Sequence, residues 1–263
     1  MDELCEKTES FAEEWDRWEE TRWREISAPH GIAALADTVW LDEQEQRVDG
    51  VAGLWRADRD TVVGTGLSES GYTGVSGAPV ADSVVLRPGD TLRAGDALLR
   101  TFVREGFPAL RRVDPHAFRH TSLRSIAAYR PDPAWVVEAR FIPRDEPLAV
   151  EQVDGHRTLQ SDAGTLEFTL GGQTRRLTAT TGVDELAIVF SDATSGSETY
   201  RFRFLRPSLP DDAGVTTLDF NRAFLPPCSF SDYYVCPMPS PENRLDIAVT
   251  VGERLPVYDD DAL

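Results

Sequence analysis

From residue 38 onward the chain has no stretch in which apolar residues recur at helical spacing. Short apolar or alternating runs follow one another instead, separated by turn signals such as RPGD at 87–90 and RAGD at 93–96. Strands are expected at 38–41, 61–64, 83–86, 97–103, 186–190, 200–205, 215–220 and 245–251. Gly171-Gly172 joins the alternating runs TLEFTL and QTRRLTAT, and two glycines accept the positive φ that a tight hairpin requires. Strands and helices do not alternate, which argues against a parallel sheet with crossover helices. The expected fold is mainly β: an antiparallel β-sandwich or partly open barrel over 131–263, preceded by a smaller β-rich part over 38–130. An N-terminal segment, 1–37, carries an amphipathic helix packed across one of them. No internal repeat is apparent.

That helix is read from SFAEEWDRWEETRWREIS, 10–27, where Phe11, Trp15, Trp18 and Ile26 fall on one face. Ser10 and Glu13 have the spacing of a capping box, and Pro29 and Gly31 end the segment. Glu13 with Arg17 and Glu20 with Arg24 sit one turn apart, worth only a few tenths of a kcal/mol each. The Trp stripe is either the seam of the helix against its own domain or a surface that docks a partner. GLSESGYTGVSGAP, 66–79, reads as a mobile loop.

Forty-five acidic residues against 27 basic ones give a formal net charge of −18. Such a surface repels phosphate backbones and anionic lipids, so neither nucleic acid nor membrane is expected as a partner. The N-terminus, MDELCEKTESFAEEW, is acidic where a signal peptide would be basic, and no apolar run reaches membrane-spanning length. A cytoplasmic setting is expected, with Cys5, Cys228 and Cys236 as free thiols.

The common catalytic fingerprints are missing: no G-x-S-x-G elbow, no Walker loop, no H-E-x-x-H, no C-x-x-C and no G-x-G-x-x-G after a strand. No cofactor is implied. His116 and His120 are four apart, a spacing that aligns two imidazoles on a helix, but the arginines Arg112 and Arg119 beside them disfavour a dication. They read as solvent-exposed loop histidines, and no metal site is assigned. In FSDATSGSETYRFRFL, 190–205, the oxygen-bearing residues faintly resemble a calcium loop, and an Asx turn built on Asp192 or Thr194 accounts for them better. Tyr200, Phe202 and Phe204 would share one strand face and Arg201 and Arg203 the other, an arginine face that either edges a polar pocket or meets solvent.

The densest run of unusual residues is LDFNRAFLPPCSFSDYYVCPMPSPENRL, 218–245. With Pro226, Pro227, Pro237, Pro239 and Pro241 it is unfit for a central strand and reads as a pre-stiffened wall over the fold. Cys228 and Cys236 within it are open to four readings: buried small hydrophobes, an oxidisable pair, half of a metal site, or a nucleophile activated by Arg222, Arg203 or Glu242. A polar site is expected where Arg203, Asn221 and Arg222 meet this wall, with Tyr200 and Asn243 as further ligand-binding residues. Cys228, Glu242 and Arg203 are the catalytic candidates, and an anionic or amide-bearing small molecule is the expected ligand. Two other readings stand beside it. One is an interaction module that docks a protein partner or second copy through the Trp helix or the aromatic run 230–234. The other is a purely structural role in which Arg222 pairs with Glu242 or Asp219.

The run DFNRAFLPPCSFSDYYVCPMPSPENRL, followed by VGERL, resembles the signature of an uncharacterised bacterial and archaeal family, domain of unknown function 1684. FSDATSGSETY with Arg203-Phe204-Leu205, and PDPAWVVEARFIP, are similar to the family's preceding motifs. The Trp/Arg-rich helix, the turn Pro29-His30-Gly31 and VREGFPALRRVDP resemble its longer members. The resemblance implies a shared, mainly β fold and no particular reaction. Two departures stand out: Arg201 and Phe202 occupy a place where many members carry glycines, and His116 and His120 are not part of the family pattern.

Overall fold

The structure is a computed structural model that describes residues 2–160 and 163–259; the side chain of Cys5 lies outside those described. The N-terminal helix runs Asp2–Ser27, longer than the expected 10–27. DELCEKTES contains no Gly or Pro to stop a helix, so Ser10 lies inside the element and the capping box is not used. Arg17 donates to the Glu13 carbonyl at 3.1 Å rather than pairing with its carboxylate. At the far end the chain turns back so closely that a Cβ on Gly31 would stand 2.5 Å from the Glu25 carbonyl, which only glycine permits. Ile26 is buried with Ala33, Leu123, Leu225 and Phe230, Trp23 packs beside them, and Trp15 Nε1 donates to the Asn221 carbonyl at 3.2 Å. The Trp stripe thus serves largely as a seam.

Residues 35–113 form two antiparallel sheets. One runs in the order Leu35–Trp40, Phe107–Val113, Ala97–Arg104, Thr91–Ala94, Thr73–Gly74, and the other Gln46–Val48, Val51–Asp58, Thr61–Thr65, Ser83–Leu86. Trp55, Val62, Leu67, Leu99 and Leu110 close a shared core between them. The 66–79 loop is tied down by buried Leu67 and Tyr72, whose hydroxyl accepts from the Ala52 N–H at 2.6 Å. It is anchored to the fold where mobility was expected.

The second half centres on a six-stranded antiparallel sheet, a half-barrel in the order Arg203–Leu205, Leu186–Phe190, Gln173–Thr181, Ala163–Leu170, Val136–Pro143, Val215–Asp219. Gly171 and Gly172, at φ 62° and 77°, make its expected hairpin turn. One face carries the core, with Leu166, Leu177, Leu186, Ile188 and Phe190 packed against Phe220 and Val249. The pleat therefore sends Thr178, Thr180, Ala187 and Val189 to the opposite face. Strand Leu123–Ala128 pairs with Glu253–Tyr258, so the two halves are hydrogen-bonded across residue 130. Among the described residues no helix is long and apolar enough to cross a membrane.

One expected strand, 245–251, is not regular structure. Its first residues bond the backbone of Ser191 and Ala193, and side chains take groups further on: the Val249 and Val251 carbonyls accept from Arg203 at 2.9 and 2.6 Å, and the Val249 N–H donates to Asp192 Oδ2 at 3.1 Å. The expected 200–205 strand is confined to Arg203–Leu205.

Candidate functional site

The residues expected at one site do not converge. Arg203, 1% exposed, pairs with Asp192 at 2.6 Å and donates to three backbone carbonyls. It neither edges a pocket nor meets solvent. Burial pushes its guanidinium below the usual arginine value and Asp192 opposes that shift. Asp192 also makes the expected Asx turn, accepting from the Thr194 N–H at 2.9 Å and its hydroxyl at 2.6 Å. Asn221 is buried, taking the Asp132 N–H on Oδ1 at 2.7 Å and donating to the Asp132 carbonyl at 3.0 Å. Arg222 reaches Asp219 at 3.2 Å, one of its two expected partners, and Glu14 at 3.9 Å. These three hold the scaffold together.

The proline-rich wall borders a cleft at its C-terminal end. Thr180 pairs with Ala187 and Thr181 with Leu186; continuing that register would set Thr178 opposite Val189, yet the strands splay there. Asn243 fills the gap. Its Oδ1 takes the Thr178 N–H at 2.6 Å, and its Nδ2 donates to the carbonyls of Thr178 and Val189, each at 2.8 Å. A side-chain amide thus replaces the missing rung of the ladder, which is why a buried Asn is stable at this position.

Above that rung lies a cleft of about 380 Å³ on the outer face of the half-barrel. Its floor is Thr178, Thr180, Ala187 and Val189, and one side is the wall Pro237–Pro241. The other is the hairpin of Leu148–Glu151 and Arg157–Gln160, stitched to the wall by Val153 N–H to the Cys236 carbonyl at 2.9 Å and Met238 N–H to the Glu151 carbonyl at 2.7 Å. Arg104, from the N-terminal half, latches the hairpin through Gln152 at 2.7 Å and Asp154 at 2.6 Å. The lining is mostly apolar. Arg157 at the rim is paired with Glu151 at 2.8 Å, whereas Arg244 has no ion-pair partner among the described residues. Ser240 Oγ is buried there without a hydrogen-bond partner.

Glu242, next to Asn243, borders a second cleft of about 420 Å³ with Ile142, Thr165, Arg176 and Thr178. It accepts from the Thr178 hydroxyl at 2.8 Å and from Arg144 at 2.7 Å. The Thr178 bond and then Arg144 hold its carboxyl below the usual range against the opposing effect of burial, so near neutrality it is an anion and not a proton donor.

Cys228 and Cys236, each 5% exposed, line neither cleft. They are free thiols packed with Phe202, Phe204, Tyr200 and Met238. The Cys228 N–H donates to Cys236 Sγ at 3.3 Å, and the Tyr200 hydroxyl donates to the Cys228 carbonyl at 3.2 Å with Cys228 Sγ 3.8 Å away. The Cys236 thiol lowers the Cys228 pKa, opposed by burial and aided by Tyr200 and Arg201; Cys236 itself is pushed up, and burial raises Tyr200 to about 12. The cation beside Cys228 is Arg201, and none of the three activating residues expected.

Sequence reasoning missed the hairpin, Thr178, Ser240 and Arg244, although Arg244 directly follows the motif PEN. His116 and His120 part company. His116 contacts Asp96 at 3.1 Å, while His120 is half-buried, with Nδ1 2.8 Å from the Pro115 carbonyl and Nε2 3.0 Å from that of Ala28. The second is therefore a latch on the helix end rather than a solvent-exposed loop residue.

Among curated proteins there is no match. Of the solved structures, an uncharacterised protein of Haloarcula marismortui determined by solution NMR is 33% identical, with a TM-score of 0.42, covering 50% of this chain and 76% of that one. The sequence pattern of the family described as Protein of unknown function (DUF1684) matches residues 121–254, which hold the half-barrel, the wall and both clefts. With just over half of its length matched, the chain belongs to that family.

Proposed function

We propose that the protein binds a small amphipathic anion, an apolar body carrying one carboxylate-like or phosphate-like head, in the 380 Å³ cleft beneath the Pro237–Pro241 wall. The observation that carries this reading is the pairing of an apolar trough with Arg244, a guanidinium without an ion-pair partner among the described residues, on a chain of formal net charge −18. Ser240, whose Oγ has no hydrogen-bond partner, lines the same trough. Proline stiffness and the Asn243 rung keep the cleft formed before the ligand arrives, which lowers the ordering cost of binding. The acidity and the free thiols Cys228 and Cys236 support a cytoplasmic setting.

The test uses 1-anilinonaphthalene-8-sulfonate, whose fluorescence rises in an apolar site, with decanoate as competitor. Saturable enhancement displaced by decanoate, weakened in Arg244→Glu and abolished in Val189→Trp, is the expected result. Equal enhancement in all three proteins would overturn the assignment.

A further inference from the structure

A further cavity, of about 320 Å³, lies between the N-terminal helix and the strand Leu123–Ala128. Trp18 and Trp23 from the helix and Ile126 and Ala128 from the strand give it apolar walls. Three of its four charged lining residues are acidic: Glu19 and Glu20 on the helix and Glu253 on the neighbouring strand. These carboxylates are not alike. Glu253 is buried but compensated, taking Arg22 at 3.0 Å and the Leu225 N–H at 2.6 Å. Arg124, the cation on the rim, is engaged by Asp259. Glu19 and Glu20 have no ion-pair partner among the described residues, and Glu19 is half-buried. Burial, with Asp16 and Glu253 nearby, destabilises the Glu19 anion.

Each alternative occupant fails on one side. An anion is repelled by Glu19 and Glu20, and a neutral apolar molecule would cover the half-buried Glu19 without compensating its charge. Indole faces attract cations strongly, and an ammonium whose carbon substituents contact indole satisfies wall and carboxylate together. We propose that this cavity is a binding site for a small organic ammonium ion, held between Trp18 and Trp23 and paired with Glu19. It is separate from the cleft beneath the proline wall and takes a ligand of opposite charge.

The probes are choline and its uncharged isostere 3,3-dimethylbutan-1-ol, titrated into the full chain by calorimetry and by Trp fluorescence. Expected are saturable binding of choline, binding of the alcohol at least about tenfold weaker, and a loss of about tenfold for choline in Glu19→Gln. Trp18→Leu is expected to weaken choline as well. Glu19→Gln keeps size and shape, so it reads the charge even if the Trp variant fails to fold. No saturable choline binding, equal binding of the alcohol, or an unchanged affinity in Glu19→Gln would each overturn the proposal.

Discussion

The side-chain amide of Asn243 and the backbone of Thr178 hydrogen-bond in both directions, Thr178 N–H to Oδ1 at 2.6 Å and Nδ2 to the Thr178 carbonyl at 2.8 Å. Through this pair the proline-rich wall is registered onto the half-barrel, and the cleft owes its shape to it. Asn243→Ala leaves a buried N–H and two carbonyls unpaired, and we expect a loss of about 2–4 kcal/mol in urea unfolding. Asn243→Asp should be at least as damaging near neutrality, because a carboxylate would face the Thr178 and Val189 carbonyls, and should recover as acid restores a donor. Equal stability of wild type and both variants would contradict the role given to the rung.

Arg203 and Asp192 form a buried pair that also organises residues 249–253. Arg203→Met strands a buried carboxylate, and chemical denaturation should show a loss of about 3–5 kcal/mol. A variant of wild-type stability that loses only ligand binding would mean that Arg203 belongs to a site after all.

Glu242 gives a pH signature. Its folded pKa is depressed from an ordinary value of 4.5, so its contribution is present above that value and fades as pH falls through the lower folded pKa. Glu242→Gln should therefore be less stable than wild type at neutral pH, and the two should converge in acid. With the Glu242 side chain 57% exposed, the gap should be about 1 kcal/mol or less. A gap that widens in acid would contradict this assignment.

The thiol pair predicts unequal reactivity at equal burial. Iodoacetamide labelling followed by peptide mass spectrometry should modify Cys228 before Cys236, because the second thiol supports the thiolate of the first. In Cys236→Ala the pH profile of Cys228 labelling should move upward. Preferential labelling of Cys236, or a downward move, would reverse the assignment.

What the sequence could and could not show follows from the range of the interactions involved. The Gly171-Gly172 hairpin and the helix seam rest on local conformational preference and periodicity, and both were legible. The wall was legible because proline excludes the ladder. The apolar run 245–251 was misread as a strand because its hydrogen-bond partners, Arg203 and Asp192, lie more than 40 residues away and leave no local mark. The cleft floor was invisible for a similar reason: Thr178 and Val189 look like ordinary strand residues until the splay between their strands is seen. Glu242 and Asn243 stand side by side at the end of the wall, and a 3₁₀ turn at Pro241–Asn243, which the sequence does not mark, gives them different surroundings.

The most direct test of the central claim is a titration of isotope-labelled protein with decanoate, followed by backbone amide NMR shifts. The account predicts saturable shifts concentrated at Thr178, Val189, Met238 and Arg244, lost when Arg244 is replaced by Glu. Shifts concentrated instead around Trp18 and Trp23, or none up to the solubility limit of decanoate, would contradict it.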